Sequence, residues 1–411
     1  MRELWRLERV ENVVRKAVRE LTYNPPLKEL PLGEGLGKIC GENYFSRIDL
    51  PPNPKATMDG YAVRSLDCTG ATHVNPITLR LLEGVVRPGE KPSVTLGPNT
   101  CIAIETGGFL PENADAVVKV EDTTLLNGGF VEIHKPVARY ENISLPGEEL
   151  KKGDPILRKG DIIHPWHLAA LEASGFDEVK VLDLSALVIC TGDEFLNSST
   201  FPPFTRQIVR GWLAEKGFLR IELTLVPDDL ERIRDEVRRG VNDHTLVIVC
   251  GGSSRGSRDL VPKAVDSLSP SLRIRGVAIQ PGKTTTLCVI GGKPVLSISG
   301  LPVAALSSME LLLAPLIEKW LHVKYPPKPR VKAILTRRLT VKRGVKGFAR
   351  VKVYRKNGET YAEPLMVGGS GAIRSLILGN GIVVIPEDLE GYDEGDEVEV
   401  ELYGPIQENL S

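Results

Sequence analysis

The chain is poor in cysteine and aromatic residues and has no long apolar run. Its six cysteines in 411 residues are Cys40, Cys68, Cys101, Cys190, Cys250 and Cys288. None forms a Cys-x-x-Cys pair, which argues against a zinc knuckle or a thioredoxin-like couple. Cys190, Cys250 and Cys288 lie in apolar, strand-like runs, where a buried thiol is the default, and reduced thiols suit a cytoplasmic protein. The histidines are scattered without ligand spacing. His164 and His167 bracket a Pro-Trp and read as a loop and helix cap, not as a metal pair. No apolar stretch approaches the ~18 residues that span a bilayer, so no membrane span is expected. The opening MRELWRLERVENVVRKAVREL is charged throughout, unlike a signal peptide. Charged residues make up 26% of the chain with a net charge of -1, so there is no nucleic-acid signature.

Glycine and proline are plentiful, and they punctuate the chain. Its length favours two to four domains. Leu4, Leu7, Val10, Val14, Ala17 and Leu21 recur at helical spacing and predict an amphipathic helix. Residues 50–150 carry short alternating runs such as CIAIET, which predict strands joined by turns. From about 185 the pattern changes. SALVIC, RIELTLV and HTLVIVC read as strands, 205–216 and LERIRDEVRRG as helices. This alternation predicts an α/β unit built on a parallel sheet. A long buried helix over 303–321 closes it. YPPKPR at 325–330 reads as an extended linker. Beyond it a β-barrel or sandwich is expected, with a hairpin turn at Lys356-Asn357-Gly358.

Three stretches invite chemistry. PPNPKATMDGYAVR at 51–64 puts Asp59 on a proline-framed Asp-Gly turn, where Gly tolerates positive φ and Asp bonds its own backbone. A carboxylate held that way suits metal or acid–base work, although a solvated turn carboxylate is the simpler local explanation. The other two stretches follow strands of the α/β unit, where open sheets bind ligands. Thr191-Gly192-Asp193-Glu194 follows SALVIC. Gly251-Gly252-Ser253-Ser254-Arg255-Gly256-Ser257-Arg258-Asp259 follows VIVC. Glycines let the backbone approach a ligand and gather N–H groups into an anion nest. Ser and Arg add phosphate donors, and Asp259 adds a carboxylate for a cation. Asp228 and Asp229 precede LERIRDEV, where one can cap the helix while the other binds. QPGKTTT at 280–286 ends like a phosphate-binding loop, but the upstream Gly276 is one residue too far and TTTLCVI reads as a strand, not a helix.

MDGYA, TGDE and GGSSRGSRD, in this order, resemble the signatures of the MoeA family of molybdopterin molybdenumtransferases, to which the gephyrin E domains belong. The resemblance runs over nearly the whole chain. It implies a multidomain α/β plus β architecture: a segmented domain of 1–49 and 151–182, an inserted β domain at 50–150, a MogA-like α/β domain with a parallel or mixed sheet at 183–325, and a β-barrel-like domain at 326–411. It implies a homodimer with its active site between the α/β domain of one subunit and β domains of the other, so that Asp59 acts across the interface. It implies Mg²⁺ held by Asp59, Glu194, Asp228 and Asp259. Thr106, Thr191, Gly192, Gly251, Gly252, Ser254, Gly256, Lys283, Pro302, Arg350 and Ser370 would bind molybdopterin and the oxyanion. The implied reaction inserts molybdate into adenylylated molybdopterin and releases AMP. A MogA- or MoaB-type adenylyltransferase and acceptor molybdo- or tungstoenzymes are the implied partners.

The chain also departs from that pattern on the oxyanion side. The family's K-P-G-K-P reads Gln280-Pro281-Gly282-Lys283-Thr284 here. Its G-L-P-G-(N/Y)-P-V-S aligns with 297–304, which puts Ser299 and Ala304 in place of proline and serine. Ser144 replaces an arginine, and Glu149 falls where an aspartate is usual. These changes leave open a non-catalytic molybdopterin-binding or scaffold paralogue, and a tungstate-specific enzyme.

Overall fold

The computed structural model describes residues 7–193, 203–251, 260–365 and 372–408. The chain separates into two compact units. One comprises residues 43–157 and 166–177; the other comprises 1–42, 158–165 and 178–411.

The smaller unit is built on a six-stranded mixed sheet with the strand order Ala116–Lys119, Gly60–Val63, Thr100–Ile104, Ile77–Val86, Phe130–Ile133, Thr123–Leu126. Only the pairing of Ile77–Val86 with Thr100–Ile104 is parallel. The Gly60–Val63 strand is buried on both faces: Tyr61 and Val63 join one apolar cluster and Ala62 the other. Such double burial explains why this short strand reads as continuously apolar instead of alternating. It carries Asp59 at its start.

The α/β part of the larger unit has the strand order Arg220–Val226, Ser185–Thr191, Leu246–Cys250, Lys293–Ile298, Thr286–Ile290, Leu272–Arg275. The first four strands are parallel and the last two antiparallel, so the sheet is mixed. Period-two alternation sorts its core. Ala186, Val188 and Cys190 pack with the helices Val10–Glu20 and Thr205–Glu215 on one face. Leu187 and Ile189 pack with Leu230–Asp243 and Leu260–Asp266 on the other. The predicted N-terminal helix thus forms, with Val10, Val13, Val14 and Ala17 buried; Leu4 lies outside the described residues.

The single helix expected at 303–321 is instead Pro302–Ser308 and Ala314–Leu321 joined by a π turn at Met309–Leu313. Pro315 has no N–H to donate to the preceding turn, and a wider turn accommodates that loss. The C-terminal strands close into a five-stranded barrel: Lys346–Lys356, Glu359–Pro364, Arg330–Leu335, Glu397–Leu402 and Gly381–Ile385, which returns to the first. Asn357 and Gly358 both have positive φ, 53° and 82°, as the predicted hairpin turn requires. Ile279–Gln280 adds to the barrel beside Lys346–Gly347, which brings the Gln280 segment onto this surface. Among the described residues no helix is long and apolar enough to cross a membrane.

Candidate functional site

In the smaller unit Asp59 is exposed, and its carboxylate is held by one residue. The backbone N–H of Thr106 donates to Oδ1 at 2.7 Å and the Thr106 hydroxyl donates to the same oxygen at 2.8 Å. These bonds hold the Asp59 carboxyl below its ordinary range, the amide contributing more than the hydroxyl. Both converge on Oδ1, and Oδ2 has no partner among the described residues. The turn differs from the expectation in one respect. Gly60 is not a positive-φ residue; it already belongs to the strand, and a Cβ there would meet the Val118 carbonyl oxygen at 2.0 Å. The glycine is needed for close strand packing, not for turn conformation. Glu149 forms a 2.6 Å ion pair with Lys55, which occupies the carboxylate.

In the larger unit the carboxyl ends of the parallel strands come together. Thr191 ends one strand and is buried, and its Oγ1 has no hydrogen-bond partner among the described residues. Gly251 follows the neighbouring strand at φ 106°, and a Cβ there would approach Thr191 O to 2.7 Å and Oγ1 to 3.0 Å. Gly192 has φ 148°. The Thr205 hydroxyl donates to the Gly300 carbonyl at 2.6 Å, one residue pair ahead of Pro302 at the start of its helix. Asp229 caps the helix that begins at Leu230, accepting from the Arg232 N–H at 2.9 Å. Asp228 remains exposed, and its own N–H donates to Asp193 Oδ1 at 3.1 Å. The TGDE stretch and the Asp228 turn are therefore adjacent. Glu194, Gly252, Ser254, Gly256, Asp259 and Ser370 lie outside the described residues, as do Arg255 and Arg258.

The Gln280 segment and the barrel border a cavity of about 200 Å³, lined in part by Gln280, Pro281, Thr340, Phe348 and Arg350. The Arg350 Nε donates to Ser375 Oγ at 3.2 Å and an Nη to the Phe348 carbonyl at 3.3 Å. No carboxylate pairs with it among the described residues. Burial lowers its pKa, with Tyr403 opposing. Here a cation is partly withdrawn from water without a counter-ion. Gln280 Oε1 is buried and has no hydrogen-bond partner among the described residues. Ser307 donates to the Pro281 carbonyl, and Thr285 Oγ1 lies 2.7 Å from Ser308 Oγ. These hydroxyls fasten the loop that carries Lys283. Neither they nor Thr205 and Ser375 were foreseen as parts of the site, and Asp193 was foreseen only as a member of the TGDE loop. The adjacent serines in an otherwise apolar helix were the one visible signal.

A divalent cation fits what can be seen of the acidic residues in donor chemistry. Asp59 and Asp228 are exposed oxygen donors, as hard cations prefer. Among the described residues, however, no group of three His, Cys, Asp or Glu side chains gathers at one point.

Models of the MoeA N-terminal region (domains I and II), of a probable molybdopterin binding domain and of the MoeA C-terminal region (domain IV) match residues 7–175, 187–319 and 332–403. A protein of Methanocaldococcus jannaschii named for molybdopterin biosynthesis is 34% identical over 98% of this chain and 99% of its own. The chain belongs to the MoeA family. Molybdenum cofactor biosynthesis is the process in which it works. A molybdopterin molybdenumtransferase of Staphylococcus aureus is 29% identical over 95% of this chain and 94% of its own. Two MoeA protein structures from Pyrococcus horikoshii superpose with TM-scores of 0.78 and 0.80 at 32% and 28% identity, each covering 97% of this chain and 100% of the other. This MoeA-family chain therefore shares the family fold from end to end.

Proposed function

We propose that this MoeA-family enzyme inserts molybdate into adenylylated molybdopterin with release of AMP. The enzyme class is that of its relatives, the molybdopterin molybdenumtransferases. The observation that carries the reading of an oxyanion substrate is Arg350: a half-buried guanidinium with no carboxylate partner among the described residues, on the wall of a small cavity. Such a charge is stabilised when an oxyanion accepts its N–H groups.

In this reading Lys283, Arg350, Ser254 and Ser370 hold the oxyanion. Thr191, Gly192, Gly251, Gly252, Gly256 and Pro302 line the site for the pterin and its phosphate. Asp59, Glu194, Asp228 and Asp259 hold Mg²⁺, and Thr106 keeps the Asp59 carboxylate ionised and oriented. Bound there, the cation neutralises phosphate charge. The protein's own contribution is to place the oxyanion beside the phosphoanhydride with its charge already matched by fixed donors. The enzyme works in the cytoplasm as a homodimer, with Asp59 of one subunit completing the site on the other.

The replaced oxyanion-side residues motivate a second reading, because Gln280 puts a neutral amide where the family pattern has a cation. That reading is a molybdopterin-binding paralogue without metal insertion; a tungstate enzyme is a variant of the first. Reconstitution with adenylylated molybdopterin, Mg²⁺ and either molybdate or tungstate, scoring AMP and pterin-bound metal, tests all three. AMP release with molybdate supports insertion, and release with tungstate alone supports the variant. Pterin binding without AMP under either oxyanion overturns the insertase reading.

A further inference from the structure

Cys190 and Cys250 face each other in direct register on adjacent parallel strands, Cys250 as the last residue of its strand and Cys190 as the last but one of its own. Both side chains lie on the same face of the sheet, in one apolar cluster, each 3% exposed. Each thiol shifts the pKa of the other. The next residues are Thr191, which closes its strand, and Gly251, the first beyond its own, both at the carboxyl edge of the sheet. We propose that Cys190 and Cys250 are an oxidisable pair that closes to an intrachain disulfide under peroxide.

Geometry permits the bond. Facing residues on neighbouring strands have Cα atoms about 5 Å apart, inside the roughly 4.4–6.8 Å range of disulfides. In the step one thiol attacks the peroxide O–O bond, forming a sulfenic acid and releasing one water. The second thiol then displaces the hydroxyl, and a second water leaves as the S–S bond forms. Two S–H bonds are lost, the two sulfurs are oxidised by two electrons in total, and the peroxide is reduced to two waters. Cys250, and after it the charge of Arg206, lower the pKa of Cys190 against the effect of burial, while Cys190 and burial raise Cys250, so Cys190 is the member that ionises first. This favours the thiolate that starts the reaction.

The molecule contains its own control. Cys68 and Cys101 are also buried neighbours in one cluster, but burial pushes each thiol up to about 12, and the Cys68 charge adds to the rise at Cys101. The Cys190–Cys250 crosslink ties two strand ends about 60 residues apart in sequence and clamps the backbone beneath Thr191 and Gly251. This inference stands independently of the reaction proposed above.

The test uses the full chain, freed of reductant, with hydrogen peroxide at a level that fully oxidises free glutathione in parallel. Thiols are then counted in denaturant and tryptic fragments mapped by mass spectrometry. The expected count falls from six to four, with fragment 181–206 joined to fragment 240–255. Cys190→Ser and Cys250→Ser should each keep all five remaining thiols. Six surviving thiols in the natural chain, a crosslink between Cys68 and Cys101 instead, or loss of two thiols in either serine variant overturns the proposal.

Discussion

Asp59 and Arg350 hold opposite charges in opposite ways. Asp59 is exposed, and two hydrogen bonds from one threonine favour its ionised form. Arg350 is half-buried, and its surroundings disfavour its ionised form. The first is an anion made ready by short-range bonds while water still reaches it. The second is a cation that lacks its counter-charge in the described structure. A settled anion suits a permanent ligand for a cation, whereas an unsettled cation suits a substrate anion that comes and goes.

That contrast can be broken most sharply at Asp59. Asp59→Ala should reduce AMP release by about 100-fold or more, while circular dichroism and the melting temperature stay unchanged because the side chain is exposed. Undiminished turnover would remove Asp59 from the reaction. Next in size is Arg350→Met, which keeps the apolar stem and deletes the charge. Molybdate affinity measured by calorimetry should fall by roughly 10- to 100-fold, with no loss of melting temperature, because the charge is disfavoured in the empty cavity. A lower melting temperature with unchanged affinity would make Arg350 a structural residue.

A smaller effect is expected from Thr106→Val. It removes the hydroxyl bond to Asp59 and keeps the amide bond, so turnover should drop by roughly 3- to 10-fold. The acid limb of the pH–rate profile should move to higher pH, since the carboxyl loses one of the two bonds that hold its pKa down. An unmoved acid limb would mean that Asp59 does not set it.

The smallest effect concerns stability in the larger unit. Buried His244 lies 3.3 Å from Glu222 through Nε2, yet neither ring nitrogen makes a hydrogen bond among the described residues. Burial first, and Arg220 second, lower its pKa. The unfolded chain therefore takes up a proton before the folded one does. Stability is complete above the ordinary histidine value of about 6.5 and declines as pH falls through the lowered folded value. His244→Asn should flatten the fall of the melting temperature with pH below about 6.5. An unchanged slope in that variant would assign the acid sensitivity elsewhere.

Much of this architecture was legible in the chain. Strand–helix alternation from 185 onward, the Asn357-Gly358 turn and an aspartate cap ahead of LERIRDEV follow from neighbours within a few residues of one another, and the structure has each of them, with Asp229 as the cap. The failed phosphate-loop spacing was equally legible, and Thr286–Ile290 is indeed a strand. The interrupted 303–321 helix was not foreseen, although Pro315 was in view, because apolar breadth masked the local break.

Other features depend on residues far apart in the chain. Gly60 is required by the Val118 carbonyl, and Glu149 is neutralised by Lys55. Among the described residues Arg350 lacks a counter-ion because of what surrounds it, and Cys190 meets Cys250 only through strand order. Periodicity, capping and turn chemistry act over a few bonds and can be read along the chain. Burial, ion pairing and close approach depend on which distant segments pack together. Sequence alone therefore named the family and nominated the carboxylates, while folding decided which charges are matched and which wait for a ligand.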